Sequence, residues 1–132
     1  MNHAVDAVVP RHPSHLNPAA AAFANESERV FAQLLTLYGI DWRYEPVEFP
    51  LAWNVRGEVT RAFRPDFYLP QLSLFVELTV AAQRLITKKN RKVRECRALY
   101  PEVAIEIVYR KDFLSLVQRH ALDIAATAPQ AA

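Results

Sequence analysis

The sequence predicts a mixed α/β fold in which a central β-sheet is flanked by helices. Three observations carry this prediction: a helical apolar period over residues 25–39, a short apolar run over residues 72–80, and a later alternation of helix, strand and helix patterns. The predicted order of elements is α-β-β-β-α-β-α. The chain has 132 residues, of which 52% are apolar and 23% charged, which fits one domain with its own core.

The first predicted helix is the segment "NESERVFAQLLTLYG". Asn25 followed by Glu28 three residues later has the spacing of a capping box, in which each residue satisfies a free backbone N–H at the start of a helix. Gly39 supplies a stop signal at the other end. The apolar residues of the segment share one helical face: Val30, Phe31, Leu34, Leu35 and Tyr38.

Three strand-like segments follow. The aromatic-rich "DWRYEPVEFPLAW" and "TRAFRPDFYL" flank a turn at Gly57, and Pro70 ends the second of them. The run "LSLFVELTV" is apolar on both faces and is typical of a buried central strand. These three segments are therefore predicted to form the three consecutive strands of the sheet.

The rest of the chain predicts a helix, a strand and a final helix. The first of these helices covers roughly residues 87–100 and ends at Pro101, "VAIEIVYR" is the β-branched strand, and "KDFLSLVQRHALDIA" closes the domain. Residues 1–24 are rich in Ala, Pro and His without periodicity, and we expect a flexible arm there. Residues 125–132 predict a flexible tail, which leaves residues 25–124 as the folded domain.

Composition excludes several classes of protein. Cys96 is the only cysteine, so an internal disulfide and a four-cysteine zinc site are both excluded. No apolar run approaches the ~20 residues that span a membrane. The N-terminal residues have no positively charged region followed by a long apolar region, so we expect no secretory signal, no membrane partner and a cytoplasmic location.

Two acidic residues stand inside the strand-like segments. Asp66 lies in "RPDF" and Glu77 in "VELT", and burying an unpaired carboxylate costs several kcal/mol, so a cationic partner is expected. Together with Glu28, this order of acidic motifs resembles the PD-(D/E)xK nuclease superfamily, whose fold is restriction-endonuclease-like. The phrases "PDFYLP" and "GIDWRYEP" are most similar to its small very-short-patch-repair and transposon-end-cleaving members, and the resemblance covers roughly residues 26–113.

The resemblance implies a Mg²⁺-dependent nuclease that acts on nucleic acid, with DNA expected as the substrate. Asp66, Glu77 and the backbone carbonyl of Leu78 would be the metal ligands, and Mn²⁺ would be expected to substitute for Mg²⁺. Glu28 is a further catalytic candidate, although its capping-box position explains it equally well. A homodimer would allow one site per chain to cut both strands.

One position departs from the superfamily. Its third motif residue is a lysine two positions after the glutamate, and this chain has Thr79 there. Either the lysine has moved to another element or the activity is lost. The basic helix offers a replacement, because Lys89 lies four residues before Val93 and so extends the apolar stripe of that helix. Lys88 and Lys92 are less well placed, and the alternative for Lys89 is a side chain that reaches out to solvent.

Seven Lys or Arg residues and a single acid, Glu95, lie between Arg84 and Arg97. A solvated helix face is the simplest interpretation of such a run. Beside a nuclease site, however, these cations would neutralise phosphates. Two other hypotheses remain: a catalytically inactive nuclease-fold module that binds DNA or assembles with a partner, and a chance match whose acids form ion pairs with Arg64 or Lys89. The predicted nucleic-acid-binding residues are Arg84, Lys88, Arg91, Lys92 and Arg94.

Overall fold

The computed structural model describes residues 9–10, 23–79 and 83–127, with side chains described over 23–79 and 87–126. Within these ranges the helices are α1 (Glu26–Leu37), α2 (Gln83–Leu99) and α3 (Phe113–Thr127). Short 3-10 turns cover Pro70–Leu72 and Arg110–Asp112. The strands are β1 (Val9–Pro10), β2 (Arg43–Tyr44), β3 (Val47–Trp53), β4 (Val59–Phe63), β5 (Phe67–Leu69), β6 (Leu74–Thr79) and β7 (Ala104–Tyr109).

The central sheet has four strands in the order β2-β5-β6-β7. Its β6–β7 pair is parallel and the other pairs are antiparallel, so the sheet is mixed. Helix α2 makes the connection between the two parallel strands. Five of the six residues of β6 are buried, because β6 has neighbours on both edges and covered faces. The predicted mixed α/β class and the predicted central strand are both confirmed.

The number of strands before α2 differs from the prediction. The sequence patterns give three strands between the first two helices, whereas the structure has five, β2 to β6. Each aromatic-rich segment is interrupted by a proline, Pro46 in the first and Pro65 in the second. Proline has no backbone N–H to donate to a strand partner, so each segment divides into two strands. The divided strands then join different sheets.

The second sheet contains β1, β3 and β4, in that order. Strands β3 and β4 form an antiparallel hairpin, closed by residues 54–58. Gly57 has a φ of 81° in this turn, a conformation that side chains with a Cβ rarely adopt. This hairpin leads the chain through Arg64 and Pro65 to Asp66, immediately before β5 of the central sheet.

The two faces of the central sheet carry separate cores. On one face Val76 and Leu78 of β6 pack with residues of α1 and α3, including Phe31 and Val117. On the other face Phe75 packs with the α2 side chains and with the β3–β4 hairpin. Because side chains alternate along a strand, Glu77 and Thr79 share the α2 face with Phe75.

Element boundaries differ from the sequence expectations by about a turn. Helix α2 begins at Gln83 rather than near residue 87, and Tyr38 follows the end of α1 and is 37% exposed rather than on its buried face. The predicted arm lies largely outside the described residues, although Val9–Pro10 pairs with β3. Helix α3 continues to Thr127, and residues 128–132 of the predicted tail lie outside the described ranges.

Helix α2 is anchored at its C-terminal end by Cys96 and Tyr100, both fully buried, as its apolar stripe predicts. Burial raises the pKa of the Cys96 thiol to about 12. The Tyr100 hydroxyl donates a hydrogen bond of 2.8 Å to the carbonyl oxygen of Pro50, which ties the end of α2 to β3. This bond fixes the position of the helix relative to the hairpin.

We predict that Tyr100→Phe lowers the free energy of unfolding by about 1–2 kcal/mol, because the substitution removes the donor to a buried carbonyl. Urea unfolding followed by circular dichroism measures the effect. Tyr109→Phe is the matched control, since Tyr109 is 38% exposed. Equal stability of the Tyr100→Phe variant and the wild type would show that the bond does not anchor the helix.

Candidate active site

Asp66 and Glu77 come together through the pairing of β5 with β6. Phe67 stands opposite Val76 in this antiparallel ladder, so one further step along both strands brings Asp66 opposite Glu77. Asp66 itself lies just before β5, not inside a strand as the sequence pattern predicts. Pro65 ends the preceding strand, and the chain enters the central sheet only after the aspartate.

Reciprocal hydrogen bonds lock the two acids in place. The Asp66 backbone N–H donates to Glu77 Oε1 at 3.1 Å, and the Leu78 backbone N–H donates to Asp66 Oδ2 at 2.8 Å. Each carboxyl group therefore binds the backbone of the strand that carries the other. The two carboxyl groups consequently cannot move apart without breaking backbone contacts at the end of the ladder.

The electrostatics of the acid pair favour a bound proton or cation. Burial raises the pKa of the Asp66 carboxyl to about 8, and the neighbouring Glu77 carboxylate contributes to the rise. Burial also raises the pKa of Glu77, although Lys89 acts in the opposite direction. Two neighbouring buried carboxylates repel each other when both are ionised. The acid pair therefore binds a proton more readily than an exposed carboxyl group does.

Lys89 reaches this pair from α2. Its ammonium group hydrogen-bonds to the carbonyl oxygen of Leu78 and lies 3.6 Å from Glu77 Oε2. The Lys89 side chain is 30% exposed and the Glu77 side chain 8% exposed, so the ion pair lies at the inner end of an opening to solvent. Of the three candidate lysines, the structure brings Lys89 into contact with the acids. The Leu78 carbonyl oxygen, which is predicted to be a metal ligand, is the atom that accepts this hydrogen bond from Lys89.

Glu28 is buried at the start of α1 and is committed to local hydrogen bonds. Its Oε1 accepts from the Ala24 backbone N–H at 3.1 Å and from the Tyr44 hydroxyl, while its own backbone N–H donates to Asn25 Oδ1 at 3.0 Å. The capping interaction predicted from the sequence is thus present. Glu28 is also near enough to Asp66 to raise the pKa of that carboxyl, so it adds negative charge to the site.

A cleft of about 390 Å³ opens above Glu77. One wall is formed by α2, which contributes Lys88, Lys89 and Lys92. The opposite wall is formed by the hairpin and by residues near Pro46: Glu45, Glu48, Ala62, Phe63 and Arg64. Acidic side chains thus lie at the floor and on one wall, and lysines face them.

Arg64, Glu45 and Glu48 form a charged group in this cleft that sequence reasoning did not include among the site residues. Arg64 lies 3.3 Å from a Glu48 oxygen and 4.0 Å from Glu45. Glu45 has a φ of 45°, and its backbone N–H donates to the Asp66 carbonyl at 2.9 Å. The alternation of β3 places Glu48 here, but Glu45 depends on a turn that no periodicity predicts.

The remaining predicted basic residues divide into two groups. Lys88 and Lys92 are one helical turn apart and line the cleft. Arg91 and Arg94 are exposed on α2 but do not line it. The side chain of Arg84 lies outside the described residues. The positive charge therefore begins at the cleft and continues over the outer surface of the helix.

Thr79 occupies the position where the resemblance would place a lysine. Its side chain is 2% exposed, and its hydroxyl oxygen has no hydrogen-bond partner among the described residues. A lysine side chain at this position would begin on the same α2 face as Glu77. Lys89 reaches Glu77 from helix α2 instead of from the strand.

The donor atoms present fit Mg²⁺ better than zinc. Over the described ranges, no group of three or more His, Cys, Asp or Glu side chains converges to hold a metal ion, and a structural zinc site requires four such ligands. Magnesium is usually held by one or two carboxylates and otherwise by water. The oxygen atoms of Asp66, Glu77 and the Leu78 carbonyl meet that requirement.

No protein-family model, curated protein or solved structure matches this chain. None of the helices in the described part of the chain combines the length and apolar content needed to cross a membrane. The site must therefore be interpreted from its own residues.

We predict that Asp66→Asn stabilises the metal-free protein, by about 0.5–2 kcal/mol at pH 8. The Asp66 pKa of about 8 in the folded protein lies above its ordinary value of 3.8, so the folded state binds more protons than the unfolded state between these values. The stability contributed by this proton is complete below about pH 4 and is lost as the pH rises through 8. The variant should therefore gain most over the wild type near pH 8 and least near pH 4.

Urea unfolding from pH 4 to 8 in the presence of a chelator measures this difference. Asp41→Asn is the control, since Asp41 is exposed and distant in sequence from the acid pair. A difference between Asp66→Asn and wild type that does not change with pH would contradict the assignment of the proton to this pair.

Proposed function

We propose that the chain is a Mg²⁺-dependent nuclease with a restriction-endonuclease-like fold, and that DNA is its substrate. The observation that carries the proposal is the convergence of Asp66, Glu77 and Lys89 beside a charged cleft that Glu77 and Lys89 line. Asp66 lies just before β5, Glu77 on β6 and Lys89 on α2, so folding alone brings them together. A mixed sheet with an acidic pair at the ends of two adjacent strands supports the fold assignment.

The acid pair would hold the metal ion. Asp66, Glu77 and the Leu78 carbonyl oxygen are hard donors, and their mutual hydrogen bonds fix their spacing before any ion binds. When bound, Mg²⁺ supplies a Lewis acid that polarises the phosphate and stabilises its negative charge. Mn²⁺ has similar ligand preferences and is expected to substitute. Glu28 supports the site through charge and through the Tyr44 contact.

Lys89 would act on the attacking water and on the charge that develops during hydrolysis. Its ammonium group is held at the site by Glu77 and the Leu78 carbonyl. A positive charge positioned before the reaction lowers the energy of a transition state that accumulates negative charge. This position supports the interpretation that the motif lysine has moved from the strand to the helix.

The cleft would receive the nucleic-acid backbone. Lys88 and Lys92 line it, and Arg91 and Arg94 extend the positive surface along α2. Phosphate contacts of this kind give affinity without sequence preference. Because each chain carries one such site, cleavage of both strands would be served by a homodimer.

A catalytically inactive module that binds nucleic acid or a partner is the second candidate function. It is favoured by Thr79, which replaces the motif lysine and has a buried hydroxyl without a partner among the described residues. This module would retain the acid pair as a structural feature. It would bind nucleic acid in a salt-sensitive manner without hydrolysing it.

We predict that wild-type protein cleaves DNA only when Mg²⁺ is present, and that Asp66→Asn, Glu77→Gln and Lys89→Met each reduce the rate at least about 100-fold. The measurement compares duplex, single-stranded, nicked and branched DNA on gels. Glu102→Gln and Lys111→Met are matched controls on exposed positions away from the cleft. Cleavage unaffected by Lys89→Met would assign the role to Lys88 or Lys92.

Metal binding gives an independent readout. Millimolar Mg²⁺ should raise the unfolding midpoint of the wild type, because a ligand that binds only the folded state stabilises it. The midpoint of Asp66→Asn should not respond. Salt-sensitive binding by a wild type that neither cleaves nor responds to Mg²⁺ would favour the inactive module.

We also predict that Lys88→Gln and Lys92→Gln each weaken DNA binding and reduce the slope of log K against log salt by about 1. Fluorescence anisotropy in a chelator, from 50 to 200 mM salt, measures the slope without cleavage. Lys111→Gln should leave the slope unchanged. An unchanged slope in the two cleft variants would place the nucleic acid elsewhere on the protein.

A further inference from the structure

The tip of the β3–β4 hairpin presents apolar side chains to solvent. Val55 is fully exposed in the turn, while Trp53 is 43% exposed and Val59 48% exposed. Trp53 and Val59 are directly opposite each other in the ladder, so their side chains share one face of the hairpin. Three large apolar side chains at one projecting tip form a surface that the proposed hydrolysis does not use.

The turn that carries this tip is ordered by its own hydrogen bonds. The side-chain oxygen of Asn54 accepts from the backbone N–H groups of Arg56 and Glu58 at 2.9 and 3.0 Å. The Asn54 amide group donates to the Glu58 carboxylate at 3.2 Å, so a hydrogen bond also holds the one acidic side chain of the turn in place. The turn therefore presents Val55 and Arg56 in a fixed arrangement.

The charges around the tip are balanced, so they do not repel a nucleic acid. Arg56 and Glu58 are both exposed in the turn, and Arg61 on β4 forms an ion pair with Glu95 of α2. The same strand continues into the cleft, where Ala62, Phe63 and Arg64 face the lysines of α2. Strand β4 thus runs from the apolar tip to the cleft beside the acid pair.

The distance from tip to site is limited by the chain itself. Val59 precedes Asp66 by seven positions, and seven steps of ~3.3 Å span at most about 23 Å. A nucleic-acid strand advances ~3.4 Å per nucleotide, so the tip can reach bases within about seven nucleotides of the cleaved bond.

We propose that the hairpin tip packs against unpaired bases of the substrate, with Trp53 stacking on a base and Val55 beside it. Aromatic side chains bind bases of any sequence by stacking, but they require bases whose faces are free. This inference rests on the proposed nuclease function and adds a substrate class to it: nucleic acid with unpaired bases within about seven nucleotides of the cut.

Tryptophan fluorescence tests the contact directly, because the chain has two tryptophans and the other, Trp42, is 1% exposed. A single-stranded oligonucleotide added in a chelator should quench the wild-type emission, and this quenching should be absent in Trp53→Phe. Val55→Ser should weaken binding of the single-stranded oligonucleotide about tenfold and leave binding of blunt duplex unchanged. Leu122→Ser removes an exposed apolar residue from α3 and should change neither affinity.

Three results would overturn the inference. One is binding of the oligonucleotide without quenching, and another is an equal effect of Val55→Ser on single-stranded and duplex DNA. The third is concentration-dependent self-association that Val55→Ser abolishes without any quenching, which would make the tip a contact between two copies of the chain. If the wild type binds and quenches but never cleaves with Mg²⁺, the nuclease proposal fails and the contact with bases stands.

Discussion

The exchange of hydrogen bonds between Asp66 and the β6 backbone, and between Glu77 and the backbone at Asp66, determines the geometry of the site. These bonds extend the β5–β6 ladder by one step with side-chain acceptors in place of carbonyl groups. The two acids are therefore part of the sheet, and a substitution at either residue also changes a hydrogen bond to the backbone of the sheet. The Leu78 carbonyl and the ammonium group of Lys89 then take positions that this step defines.

The buried acid pair is electrostatically unfavourable in the folded protein. Backbone contacts hold the two carboxyl groups together, and burial, followed by the neighbouring Glu77 carboxylate, raises the pKa of Asp66. The Lys89 ammonium group offsets part of this cost at Glu77. In the proposed nuclease a bound cation would offset more of it, and the metal-free chain would be correspondingly less stable.

The sequence predicts those parts of the fold that depend on local periodicity. The stripe of Val93 and Cys96 on α2, and its extension to Lys89, follows from helical geometry alone, and alternation in β6 puts Glu77 on the α2 face. Local periodicity does not predict that each aromatic-rich segment divides into two strands, because the pattern alone does not mark Pro46 and Pro65 as ends of strands. Alternation along β3 gives the side of the strand on which Glu48 lies, but the cleft itself forms only where the hairpin packs against α2, a long-range contact that no local pattern contains.

Cys96 has a consequence for the chemistry that can be done on this protein. It is the only thiol in the chain, it is fully buried, and a pKa of about 12 leaves a negligible fraction as thiolate at neutral pH. Maleimide dyes and crosslinkers react with thiolates, so they will leave the native chain unmodified. A cysteine introduced on the surface would then be the single point of attachment, and spectroscopic labels can be placed without altering the core.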